Sequence, residues 1–159
     1  MMASSPSPLA VDTCILLEAT DANRGHHRAA LDVLELHPAL VLPAQAIREY
    51  LAAATRPVSA NGLGLSLIAA RANLDAFRVN VRLLPEERPV LPSFFRLLDD
   101  APCTGRRLYD AHLAATAMAH QVAEVVTLNG TDFAPFSAHL TVVTPTQVLA
   151  RLGVASSPP

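Results

Sequence analysis

Apolar residues along this chain come in two rhythms that alternate from end to end. Short continuous runs, "PLAVD", "ALVLP", "VNVRLL", "EVVTL" and "TVVT", are too brief for helices and rich in the side chains that suit strands. Between them lie longer stretches with helical spacing: "CILLEAT" and "HHRAALDVLELH", "AQAIREYLAAAT", "LSLIAARANLDAF", the proline-bounded "VLPSFFRLLDD", "RRLYDAHLAATAMAHQ" and "TQVLARL". "RPVSANGLG" and "NGTDFAPFS" are dense in turn residues and read as loops. Short apolar strands separated by helices need crossover connections, and those crossovers cover both faces of a parallel sheet. The pattern therefore predicts an α/β fold of three layers, α/β/α, around a central parallel sheet of about four to five strands.

Composition narrows this to one globular domain. At 159 residues, 51% apolar and 16% charged, the chain is long enough for one sizeable core and not for two. No apolar run approaches the roughly 20 residues that span a membrane. The opening "MMASSPSPLA" has neither a charged n-region nor an apolar h-region, so it reads as a loose arm and a cytoplasmic location is expected. The expected limits are an arm over 1–7, the domain over 8–153 and a disordered tail over 154–159. Cys14 and Cys103 show no metal-type spacing and are expected as free thiols in a reducing compartment.

Charge removes further classes. All 12 basic residues are arginine, so a phosphate loop that needs Gly-Lys and any lysine Schiff base are excluded. A net charge of −2 is not the global footprint of a nucleic-acid binder, so any attraction to RNA or DNA is local or supplied by bound cations. In "GLGLSL", Leu67 stands where a dinucleotide fingerprint has its third glycine. There is no G-x-S-x-G elbow and no H-E-x-x-H pair. The adjacent His26 and His27 point different ways on a helix start, and His112 and His120 read as surface or groove residues. Asp12-Thr13 also opens some aspartyl-phosphate sites, but Cys14 occupies the place of their second aspartate.

Four carboxylates fall where chemistry collects. Asp12 stands directly behind the first apolar run, where it either caps the next helix or joins a site beyond the carboxyl end of a strand. Glu49 lies on the helix after "ALVLP", at the edge of the stripe formed by Ile47, Tyr50 and Leu51; alone it reads as a solvated glutamate. Asp110 occupies the first turn of an alanine-rich helix, where it favours the macrodipole and is the solitary charge of an otherwise apolar stretch. Asp132 follows "EVVTL" and the turn signal Asn129-Gly130. Acids converging in one cleft repel and raise one another's pKa unless a cation offsets them, and an oxygen-rich set suits Mg²⁺ or Mn²⁺.

The ordered set "VDTCILLEA", "AIREYLAAATRP", "RRLYDAHLAATA" and "TLNGTDF" resembles the PIN-domain ribonucleases, particularly the VapC-type toxins of type II toxin-antitoxin systems, from Pro8 to Leu152. The resemblance implies a PIN-like fold, with Asp12, Glu49 and Asp110 as the core acidic triad and Asp132 as the fourth acid, all four serving catalysis and holding Mg²⁺ or Mn²⁺. Thr127 and Asn129 match the polar positions of the family's T-x-N-x-x-D-F run, and Thr13 matches the hydroxyl after the first aspartate. Cys14 departs from the Asn or Ser usual at its position. The activity implied is hydrolysis of RNA phosphodiester bonds by metal-activated water, with a VapB-like antitoxin as partner and a homodimer as assembly. Arg56, Arg106 and Arg107 flank these motifs as candidate RNA phosphate contacts or as solvated helix-end arginines. Two competing readings remain: a nuclease-fold RNA- or protein-binding module, which Cys14 favours, and a Mg²⁺-binding phosphoacceptor domain, which normally needs a lysine that this chain lacks.

Overall fold

A computed structural model describes residues 6–154. The arm and tail expected at the two ends lie outside the described residues, apart from Pro6, Ser7 and Val154. Five strands form one parallel sheet: β1 (Leu9–Val11), β2 (Leu40–Pro43), β3 (Val81–Leu84), β4 (Glu124–Val126) and β5 (Thr141–Val143), in the order β3-β2-β1-β4-β5. The crossovers are α1 (Thr13–Thr20) and α2 (His27–Leu36), α3 (Ala44–Thr55) and α4 (Leu67–Phe77), α5 (Val90–Asp100) and α6 (Arg107–Ala119), and the one-turn α7 (Gly130–Phe133). α8 (Pro145–Arg151) ends the fold, opened by a capping box between Thr144 and Gln147. Among the described residues no helix is long and apolar enough to cross a membrane.

Period-two alternation divides the core between the two faces of the sheet. Leu9 and Val11 of β1 pack with Ile15, Leu16, Val33, Tyr50 and Leu149 on one side, while Ala10 packs with Leu97, Leu113, Phe133 and Phe136 on the other. Each such Leu, Val or Ile contributes about 1.5–3 kcal/mol on burial. Ala111, Ala114, Ala115 and Ala117 are all fully buried, and their small side chains let α6 approach the sheet closely. One expectation is corrected. "NGTDFAPFS" is not a loop: α7 runs into a 3-10 turn at Ala134–Phe136, because Phe133 and Phe136, three apart, both enter the core and wind the backbone between them.

Topology fixes where a site can form. From β1 the chain moves outward to β2 and β3, then returns across β1 to β4, so the strand order reverses between β1 and β4. Ligands of open α/β sheets bind beyond the carboxyl ends of the strands at such a switch point. Val11 pairs with Val126, which sets the next residues, Asp12 and Thr127, side by side at that edge.

Candidate active site

Asp12 begins the site. Its backbone continues β1, donating N–H to the Val126 carbonyl at 3.2 Å, and its side chain stands ahead of α1 without making a cap bond. The carboxylate is buried at 7% exposure, and Oδ2 accepts from the Thr127 hydroxyl at 2.6 Å and the Cys14 thiol at 3.1 Å. Burial raises its pKa, and those hydrogen bonds oppose the rise. The thiol sulfur in turn accepts from Leu128 N–H at 3.4 Å, and Thr127 Oγ1 accepts from Asn129 N–H at 3.0 Å. Burial first, then the Asp12 charge, push the Cys14 thiol up to about 12, so it stays a protonated donor. Cys14 thus ties Asp12 to the end of β4 with its weak S–H bond.

Glu49 enters from the second turn of α3. Thr13 donates its hydroxyl to Glu49 Oε2 at 2.8 Å, and Gln45, one turn earlier on the same helix face, donates its amide to Oε1. The same amide nitrogen reaches the Tyr109 carbonyl at 2.9 Å, and the amide oxygen meets His112 Nδ1. Arg48, which also lines this side of the site, pairs with Glu86 at 2.5 Å and not with its neighbour Glu49.

Asp110 lies in the first turn of α6 and Asp132 in that of α7. Asp12, Glu49, Asp110 and Asp132 all line one cleft of about 1310 Å³, together with Thr13, Cys14, Asn129, His112, Arg56, Arg106 and Arg107. Thr127 is fully buried behind Asp12. Asp110 carries the signature of the cluster: burial, then the charges of Asp12, Asp132 and Glu49, raise its pKa to about 7 against the opposing pull of Arg106. Among the described residues no three His, Cys, Asp or Glu side chains form a ready-made metal cage. A hard cation such as Mg²⁺ keeps several waters and takes one or two carboxylates, so an open cleft of mutually repelling oxygen donors fits it.

Arg56, Arg106 and Arg107 make no ion pair within 4.0 Å among the described residues. Arg56 ends α3, whose last carbonyls are satisfied by the chain doubling back: Leu63 N–H reaches Ala53, Leu65 reaches Ala54 and Gly64 reaches Arg56 at 2.8 Å. Gly62 lies so close beneath this turn that a Cβ would sit 2.1 Å from the Arg56 carbonyl oxygen. "NGLG" is therefore a helix clasp. The sequence reading missed Gln45 and left His112 as a surface or groove residue. Their signals were the i, i+4 spacing of Gln45 and Glu49 and the position of His112 two residues after Asp110.

An acidic cleft at the switch point of a five-stranded parallel sheet is the class of site this fold defines. The PIN domain family model matches residues 9–137, and the chain belongs to that family. Among solved structures, VapBC from Salmonella typhimurium, bound to DNA, is 14% identical with a TM-score of 0.65, over 87% of this chain and 98% of that chain. VapBC2 from Rickettsia felis, bound to a DNA fragment from its promoter, is 15% identical with a TM-score of 0.64, over 86% and 98%. VapC20 from Mycobacterium tuberculosis, a sarcin-ricin loop cleaving toxin, is 15% identical with a TM-score of 0.61, over 79% and 93%. These likenesses carry the fold. No curated protein sequence matches.

Proposed function

We propose that this chain is a Mg²⁺- or Mn²⁺-dependent endoribonuclease and the toxin of a cytoplasmic toxin-antitoxin pair. The observation that carries the proposal is the cleft itself, where four acids from separate segments meet, and where burial, then the charges of the other three, raise Asp110 to about 7. The bound cation supplies charge that activates water and offsets the phosphate. Asp12, Glu49, Asp110 and Asp132 hold it directly or through water. Thr127 and Cys14 fix Asp12, Thr13 fixes Glu49, and Asn129 N–H orients the Thr127 hydroxyl. Arg56, Arg106 and Arg107, without ion partners among the described residues, bind phosphates of the RNA across the cleft.

The partner proposed is a VapB-like antitoxin, since the Salmonella and Rickettsia relatives are VapBC complexes. A homodimer is the proposed assembly. Exposed Leu67 and Ile68 on α4 and Leu91 and Phe95 on α5 leave apolar surface for such contacts.

Purified protein, freed of any partner, is incubated with a structured RNA pool in Mn²⁺ or Mg²⁺, beside an EDTA control and Asp12→Asn. Cleavage that needs the cation and disappears in the variant is the expected result. An intact fold that binds Mn²⁺ and cuts no RNA would overturn the enzyme reading and leave a binding module.

A further inference from the structure

We infer that His112 is a positioning residue, which acts through Gln45 to hold Glu49 toward the cation cleft; the inference rests on the function proposed above. The logic is one of donors and acceptors. Gln45 is buried at 6% exposure, and one end of its amide meets both a Glu49 carboxylate oxygen and the Tyr109 carbonyl. Both of those only accept, so that end is the NH₂ group. The other end is then the carbonyl, which also only accepts, so the His112 nitrogen facing it, Nδ1, carries a proton.

The chain of bonds therefore has one direction: His112 donates to Gln45, and Gln45 donates to Glu49. With Thr13 on the other oxygen, each Glu49 oxygen has one donor, and the carboxylate is held in place on a helix whose neighbouring Arg48 pairs with Glu86 instead. Phe94 packs edge-on against the His112 ring at 5.3 Å between centroids and fixes its plane. Among the described residues His112 Nε2 has no protein partner and no buried side-chain nitrogen or oxygen lacks one, so Nε2 reaches solvent. The imidazole is thus fixed at one nitrogen and open at the other. A residue outside the acidic set thereby governs how that set receives a cation.

The test is calorimetric titration of RNA-free protein with Mn²⁺, comparing wild type, His112→Leu, His112→Asn and Gln45→Met, with melting in EDTA as the folding control. His112→Leu keeps the packing against Phe94 and removes the donor, and its Mn²⁺ affinity is expected to fall by about 10- to 100-fold. Asparagine places an N–H near the position of Nδ1–H and restores most of that loss, which a packing role would not allow. Gln45→Met keeps the volume, breaks the same chain and is expected to lose as much, so it serves if the leucine variant does not fold. Wild-type affinity in His112→Leu or Gln45→Met, or an asparagine variant no better than leucine, would overturn the inference while leaving the metal site intact. Absence of Mn²⁺ binding by the wild type would remove the proposed function itself, and this inference with it.

Discussion

A carboxyl group that titrates near 7 is a statement about the residues around it. Asp110 is raised to about 7 and Asp12 is raised as well, in both cases with burial as the largest cause. In the folded, cation-free protein these groups hold protons more tightly than in the unfolded chain. Their stabilising contribution is fully present below the ordinary carboxylate value of 3.8 and is lost as the pH rises through about 7 for Asp110. The melting temperature of wild type in EDTA, relative to Asp110→Asn, is therefore expected to fall from about pH 5 to about pH 8. Saturating Mn²⁺ reverses that trend, because the cation displaces the proton and binds only the folded site. Asp110→Asn itself removes a repelled charge: it is expected to melt higher than wild type in EDTA at pH 8, to gain less from Mn²⁺ and to lose RNA cleavage. A flat wild-type profile that Mn²⁺ leaves unchanged would refute the electrostatic coupling.

Each element of the sheet layer was legible from its pattern, because apolar runs and helical spacing report burial directly. All five predicted strands appear, and "VNVRLL" is shortened only at its start, where a 3-10 turn occupies Arg78–Asn80. Asp12, Asp110 and Asp132 were legible as candidates because each stands just beyond a strand or in the first turn of a helix, positions that sequence periodicity locates, whereas Glu49, in the second turn of α3, was singled out only by the family resemblance. Gln45 and His112 were not legible, since their role exists only where α3 and α6 meet, and no local rhythm encodes that meeting. The same holds for "NGLG", whose glycines resemble a nucleotide loop in sequence and serve in space as a clasp on α3. At Gly62 the obstacle is backbone, which cannot rotate away. Gly62→Ala is expected to destabilise the protein by about 1–3 kcal/mol in urea unfolding, and to weaken RNA binding further by moving Arg56. A variant with unchanged stability would show that the clasp yields.

For the whole molecule, a net charge of −2 has to be reconciled with the polyanionic substrate proposed above. In the function proposed above, that attraction falls to the bound cation and to Arg56, Arg106 and Arg107, the cleft arginines without an ion partner among the described residues. Affinity for single-stranded RNA is accordingly expected to fall with salt at a log–log slope of roughly −2, the product of three contacts and about 0.7 each. A slope several times steeper in a titration over KCl would mean a basic surface beyond Arg56, Arg106 and Arg107.

The crowding of like charges in the cleft bears on how this gene would be silenced. A chain that gives up stability to keep Asp110 among three other acids regains it when that acid is neutralised. If the protein is the toxin proposed above, a cell escaping an active copy therefore has no need to destroy it. On the proposed reading, a missense allele at Asp110 disarms the protein without lowering its abundance, and survivors are expected to carry intact, well-folded chains. Such chains keep the surface assigned to the proposed antitoxin, so on that reading each escape allele also becomes a decoy that draws the antitoxin away from any functional copy.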